Sequence, residues 1–181
     1  MKKKWIPALL VLTFMLLLTA CGKKETPAEN FRYKRENGEI TITGYTGADR
    51  DIVIPKEIDG RPVTKIGEQA FEDYDLTSVS FPETVTHIGK YAFRDCECLE
   101  RVELPDSLLE VGAWTFDGCD ALKELRIPKN AALVAEVYYG ISWPAGPETV
   151  VHIAEGSKAW EQLQEYPISW VVGDKAQYII D

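Results

Sequence analysis

The chain reads LTSVSFPETVTHIGKYAFRDCEC at residues 76–98, LERVELPDSLLEVGAWTFDGCDA at residues 99–121 and LKELRIPKN at residues 122–130. The leucines and prolines of the three segments recur every 23 residues: Leu76, Leu99 and Leu122, and Pro82, Pro105 and Pro128. An irregular earlier copy occupies residues 52–75, with an insertion of IDGRP. Self-similarity at a short fixed period predicts a stacked repeat architecture.

Each copy follows the pattern L-x-x-[VL]-x-[FLI]-P, and then [IV]-G-x-x-[AT]-F after a polar stretch. A unit this short cannot bury its apolar face alone, so the copies must stack, each giving one short strand to a parallel sheet and one return segment. The proline ends each strand, since it has no N–H. The glycine before the phenylalanine is expected to admit a tight bend.

These units resemble the leucine-rich repeats of the BspA type, also called the Treponema pallidum type. The resemblance implies a β-rich α/β fold, a short right-handed leucine-rich-repeat solenoid of about four coils. An N-terminal β-hairpin around Asn37-Gly38 is predicted to cap one end. A strand ending at Ile153, a helix from Ser157 to Tyr166 capped by Ser157, and a last strand are predicted to cap the other.

The first residues, MKKKWIPALLVLTFMLLLTAC, carry three lysines and then an uncharged run that ends in small residues, which predicts an export signal. The stretch Leu18-Thr19-Ala20-Cys21 resembles the lipobox of bacterial lipoproteins, which implies acyl chains on Cys21 after cleavage. We therefore expect a signal peptide at residues 1–20, a lipidated flexible tether at 21–30 and the repeat domain at 31–181.

The composition is that of a globular protein, with 45% apolar and 27% charged residues. Loss of the three leader lysines leaves 17 basic side chains against 29 acidic ones, a net charge of −12. Nucleic acid is disfavoured as a partner because neutralising phosphates needs a basic surface.

The cysteines Cys96 and Cys119 fall in the same position of adjacent coils. We expect both to be packed inside, where such repeats hold a small residue bonded to neighbouring backbone. A disulfide between them is compatible with an exported protein and is not implied by the spacing, and Cys98 has no counterpart.

Signals for catalysis or cofactors are weak. Gly140-Ile141-Ser142-Trp143-Pro144 begins like a nucleophile elbow, but Pro144 stands where the sharp turn requires glycine. The two histidines have no repeated nucleophile or carboxylate to work with, and no cysteine spacing suits zinc. We expect no enzyme, metal or cofactor.

The first candidate binding surface is the concave sheet, whose outward positions form columns of charged side chains. The predicted neighbours pair Glu100 with Lys123, Arg101 with Glu124, and Glu103 with Arg126. Two interpretations stay open: a solvated face whose charges satisfy one another, or a polar recognition surface that uses Arg101, Glu103, Glu124 and Arg126.

The second candidate is the insertion at residues 131–147, which holds Tyr138, Tyr139 and Trp143. Aromatic side chains of this kind dominate binding hot spots, and they equally plug the end of a solenoid. Both interpretations stay open.

The sequence therefore predicts a monomeric, non-enzymatic binding module in a bacterial cell envelope, outside the cytoplasm and held to the membrane through Cys21. Its ligand is a protein or a glycan, and the resemblance implies adhesion or host-protein binding. The alternatives are a small envelope hydrolase or an accessory subunit of an envelope enzyme, and a solute-capturing lipoprotein, which usually needs a second lobe and an apolar pocket.

Overall fold

Short strands run along two opposite sides of a stack of coils. This computed structural model describes residues 24–136, 140–141, 149–165 and 177–181. In chain order its strands and helix are β1 Phe31–Glu36, β2 Glu39–Tyr45, β3 Asp51–Val53, β4 Glu57–Ile58, β5 Arg61–Ile66, β6 Ser78–Ser80, β7 His87–Ile88, β8 Arg101–Glu103, β9 Glu110–Val111, β10 Glu124–Ile127, β11 Ala132–Leu133, β12 Ala135–Glu136, β13 Gly140–Ile141, β14 Val150–Ile153, α1 Lys158–Glu165 and β15 Gln177–Ile180.

We call β3, β6, β8, β10, β14 and β15 the front strands. They begin 27, 23, 23, 26 and 27 residues apart, and their paired members are parallel. The back sheet has the order β1-β2-β5-β7-β9-β11, with β4 paired to β5. The result is a β-solenoid of about five turns, one more than the repeat predicts, because the C-terminal unit adds the front strands β14 and β15.

The predicted N-terminal hairpin is confirmed. Strands β1 and β2 pair antiparallel, and Asn37 and Gly38 connect them with φ of 52° and 83°. Positive φ at both central residues is what a two-residue hairpin turn requires, and Asn-Gly adopts it readily. Strand β2 then pairs in parallel with β5, so the hairpin covers the first turn of the back sheet.

The core is a set of ladders in which one side chain from each coil lies on its equivalent. Leu76, Leu99 and Leu122 are buried in the same way. Phe71, Phe93 and Phe116 are completely buried and stack, with ring centroids 4.8 Å apart in the first pair and 5.4 Å in the second. The predicted repeat register is therefore confirmed by the packing.

The repeated glycine has a role beyond the tight bend that was predicted for it. A Cβ added to Gly89 would lie 2.7 Å from the backbone nitrogen of Glu68, and one added to Gly112 would lie 2.4 Å from the carbonyl carbon of Gly89. Neither distance is tolerated between a Cβ and backbone. The glycines let neighbouring coils approach closely, and a turn also begins at them, since the Gly89 carbonyl accepts from the Ala92 N–H at 3.3 Å.

The C-terminal cap agrees with the expectation where the structure describes it. Strand β14 ends at Ile153, and the Ser157 hydroxyl accepts a hydrogen bond from the Trp160 N–H, 3.1 Å away, as an N-cap does. Helix α1 packs beside β11, where the Gln162 side chain bonds both backbone groups of Leu133. Strand β15 pairs in parallel with β14. In the described residues, no helix is sufficiently long and apolar to cross a membrane.

Part of the segment predicted to be a flexible tether packs against the fold. Thr26 is buried, its N–H donates to the Val53 carbonyl at 2.9 Å, and its hydroxyl accepts from the Val53 N–H at 3.0 Å. A carboxylate oxygen of Glu25 accepts from the Lys56 N–H. Strand β3 has no coil before it, so its outer backbone groups need partners, and this segment supplies them. Residues before Phe31 thus pack as part of the repeat domain.

Candidate ligand-binding face

The front strands align their outward side chains in the columns that the repeat predicts. Asp51, Ser78 and Arg101 are register partners across β3, β6 and β8. Arg126 is the register partner of His152 across β10 and β14. The candidate residues lie on this face, and the side chains of Arg101, Glu124 and Arg126 are 62%, 77% and 70% exposed.

Hydrogen bonds organise the first half of the face around Asp51. The hydroxyls of Ser78 and Thr77 donate to its Oδ1 at 2.7 and 2.9 Å, and they hold the pKa of Asp51 below its usual range, with a smaller contribution from Arg101. Arg101 lies 3.7 Å from Asp51 and 3.5 Å from Glu100. The predicted pair between Arg101 and Glu124 is absent from these described residues.

A second cluster forms around Asp181 on the last strands. Arg126 and His152 both bond the Asp181 carboxylate and lower its pKa, and the His152 contact measures 3.3 Å from Nδ1. Glu124 lies 4.0 Å from Nε2 of His152. Arg126 is therefore turned toward Asp181, and the predicted pair between Arg126 and Glu103 is wrong.

The third predicted pair also fails. Lys123 donates from Nζ to the Asp120 carbonyl in its own loop, 2.9 Å away, and does not bond Glu100. The three failures share a physical cause, since each predicted pair needs β8 and β10 at ladder distance. The front face is instead two sheets, β3-β6-β8 and β10-β14-β15, with no strand pairing between them among the described residues.

A cavity of about 390 Å³ lies where the two sheets meet. Both apolar and charged residues contributed by the two sheets line it. The lining residues are Val102, Glu103, Leu104, Asp106, Arg126, Ile127, Pro128, Lys129 and Ala154. The repeat pattern contains no signal for this feature, because residues 101–123 have the ordinary 23-residue length.

The cysteines are packed as predicted. The thiols of Cys96 and Cys119 donate to the carbonyls of Phe71 and Phe93 in the preceding coil, at 3.0 and 3.1 Å. A hydrogen bond with Cys96, together with burial, raises the pKa of Cys119. Both are free thiols, as is the half-exposed Cys98. The role of Cys96 and Cys119 is structural, because each thiol forms a hydrogen bond from its own coil to the preceding one.

The remaining candidates lie outside the described residues: Cys21, Tyr138, Tyr139 and Trp143. Strands β12 and β13, which flank the two tyrosines, pair antiparallel. Among the described residues, no three His, Cys, Asp or Glu side chains are grouped so that they could hold a metal ion.

Stacked coils, a leucine ladder and parallel strands on one side define a leucine-rich-repeat protein. Residues 61–139 match the family model of the BspA type leucine rich repeat region, in six copies. The chain therefore carries a BspA-type leucine-rich repeat region, and this match is to a repeat and not to an enzyme family. No curated protein sequence matches the chain.

Solved structures agree with this assignment. A leucine-rich repeat protein of Treponema pallidum is 25% identical over 86% of both chains, with a TM-score of 0.61. One from Bacteroides capillosus is 29% identical over 72% of this chain and 99% of that chain, with a TM-score of 0.57. A leucine-rich cell surface protein from Faecalibacterium prausnitzii shares the fold, at 24% identity over 73% of this chain and 45% of its own, with a TM-score of 0.51.

Proposed function

We propose that this protein is a cell-surface, protein-binding module, held to the membrane by acyl chains on Cys21. The exposed charged face of the front strands carries the proposal. Arg101, Glu124 and Arg126 project from it, and buried leucines hold the strands in place behind them. Rigid strands that present exposed side chains in fixed columns lose little entropy when they bind.

The charge pattern favours a protein as the ligand. Acidic and basic side chains alternate on the face, and neither sign forms a continuous patch. Such a surface gives specificity and orients a partner of complementary pattern, whereas a polyanion needs a stretch of positive charge. The described similarity of the fold to a leucine-rich cell surface protein supports the proposed location.

A binding experiment with paired variants tests the face. The purified full chain is titrated with candidate matrix and envelope proteins, adhesion to matrix proteins being the first form of binding to test. Arg101→Ser and Arg126→Ser should weaken binding and reduce its salt dependence, because each removes a charge that steers the partner. Lys65→Ser on the back sheet is the control, with the same loss of charge. Equal effects of all three variants would contradict a front-face site.

The anchor is tested separately. Cys21→Ala should be exported but should lose incorporation of a fatty-acid analogue, since its thiol is the proposed acceptor. Equal labelling of the variant and the wild type would reject the lipoprotein proposal and leave the binding proposal intact.

The insertion remains a second candidate surface within the same function. If Tyr138, Tyr139 and Trp143 form a binding loop, their alanine variants should lose affinity and keep the wild-type melting temperature. If the three aromatic residues plug the solenoid, the melting temperature should fall first. Thermal melts and binding titrations on the same variants separate the two roles.

A further inference from the structure

The junction between β8 and β10 differs from the other junctions of the front strands. At the start of each paired strand, a backbone N–H donates to a carbonyl of the preceding coil. The donor and acceptor residues are Thr77 and Arg50, Glu100 and Thr77, and Val150 and Lys123. The equivalent bond from Lys123 to Glu100 is missing, and β8 and β10, both of which lie fully within the described residues, belong to different sheets.

The direction of the backbone hydrogen bonds that do form shows which backbone groups of β8 and β10 face the junction between them. Successive residues of a strand direct their N–H and C=O groups to opposite neighbours. The Arg101 N–H bonds Thr77 on the β6 side, so the backbone groups of Val102 face β10. The Lys123 carbonyl accepts from Val150 on the β14 side, so the backbone groups of Glu124 face β8. These backbone groups of β8 and β10 therefore face each other without forming a strand ladder.

Burial shows that the β8 side of this junction is more exposed than the equivalent positions elsewhere, whereas Leu125 of β10 stays buried. Val79, Leu125 and Val151 hold the central strand position in three other turns and are at most 1% exposed. Val102 holds this position in β8 and is only partly buried, as is Leu104. Val102 lies in the middle of the solenoid, so its exposure is not an end effect.

The chemistry of the groove is asymmetric. Val102, Leu104 and Ile127 contribute apolar surface to the 390 Å³ cavity. Asp106 and Glu103 line it on the side of β8, and Lys129 and Arg126 line it on the side of β10. An occupant that fits offers one apolar side chain and opposite charges on its two flanks.

We propose that the groove between β8 and β10 binds an extended peptide segment of the partner protein, with one large apolar side chain in the cavity. The pocket that receives this apolar side chain gives the recognition its specificity. A basic residue of the segment faces Asp106, and an acidic residue faces Lys129. This inference rests on the proposed function for the class of ligand and adds the place and form of recognition.

The test uses phage-displayed random peptides of about twelve residues, a length that exceeds a typical strand. Peptides enriched on the full chain in mild detergent are synthesised and titrated into the methyl-labelled protein. The expected result is an enriched motif with an apolar residue between basic and acidic residues, and saturable NMR shifts of the Val102, Leu104 and Ile127 methyl groups.

Two variants and a control complete the experiment. Ala154→Phe fills the cavity, and Lys129→Glu reverses one charge at an exposed position without touching the core. Each should weaken peptide binding at least tenfold, whereas Lys123→Glu, the same charge change outside the groove, should alter it less than twofold. The groove proposal would be rejected if the enriched peptides bind all variants equally or shift methyl groups of other coils. That result would not affect the proposal that the front face binds proteins. Failure to enrich any peptide would also overturn the groove, while the titrations with folded proteins judge the proposed function independently.

Discussion

Replacing Phe93 by alanine removes the centre of the phenylalanine ladder. The ring is completely buried, stacks on Phe71 at 4.8 Å and on Phe116 at 5.4 Å, and meets Phe81 edge-on at 5.8 Å. Burial and the resulting cavity alone cost about 3 to 5 kcal/mol for Phe→Ala. Each aromatic contact adds about 0.5 to 1.5 kcal/mol beyond its area, so we expect a loss at the upper end, about 4 to 5 kcal/mol.

Urea unfolding followed by far-UV circular dichroism measures this loss, with the slope of the transition checked for a change in cooperativity. Phe81→Ala is the matched control, because the same atoms are removed from a partly buried ring, and about 1 to 2 kcal/mol is expected there. Phe116→Ala should resemble Phe93→Ala, with a slightly smaller loss. A loss below about 1 kcal/mol for both Phe93→Ala and Phe116→Ala would refute the repeat register.

Three further results are expected. Gly112→Ala should destabilise the fold by about 2 to 3 kcal/mol in urea unfolding, because its Cβ would lie 2.4 Å from the backbone of the preceding coil. The Asp51 carboxyl should titrate below its usual range by NMR, so that its stabilising contribution is present at neutral pH and is lost as the pH falls through the lowered pKa; Ser78→Ala should raise that pKa. In the native protein, iodoacetamide should label the half-exposed Cys98 well before Cys119, whose pKa is raised and whose thiol is buried, as peptide mass spectrometry would detect.

Each of these expectations has its own control or contrary result. Gly38→Ala has open space around its Cβ and should cost only the strain of its positive φ, about 1 kcal/mol. Ser107→Ala removes a hydroxyl that bonds Val85 far from Asp51, and an equal effect on the Asp51 titration would rule out the assigned hydrogen bond. Equal labelling rates for the two cysteines would show that the coil opens around Cys119.

The repeat predicted the architecture because spacing alone determines which residues become neighbours. Leucines 23 residues apart must stack if the coils have equal length, and the Phe93 ladder and the Cys96 hydrogen bond follow from the same register. The side-chain partners of Arg101 and Arg126 did not follow, because they depend on whether the backbones of β8 and β10 meet. Whether the two strands pair depends on a small free-energy difference between packing and hydrogen bonding, which the pattern of apolar residues does not reveal.

The docked N-terminal segment was missed for a related reason. Composition identified residues 21–30 as polar and therefore as a tether, but a single threonine can complete a sheet edge through its backbone and hydroxyl. Thr26 does this for Val53. What decides the outcome is the unpaired edge of β3, a property of the whole solenoid that the local sequence does not contain.

The docking of Glu25 and Thr26 limits the distance between the repeat domain and a membrane in which Cys21 is anchored. The Glu25 side chain accepts from the Lys56 N–H, so the linker between Cys21 and the domain consists of Gly22, Lys23 and Lys24. Fully extended, this linker spans about 10 to 14 Å. The lipid headgroup layer is itself about 5 to 8 Å thick. With acyl chains on Cys21, the first coil would therefore lie close to the membrane surface. A ligand would meet the protein close to the bilayer, which favours partners on the same cell surface or in tight contact with it over those at long range.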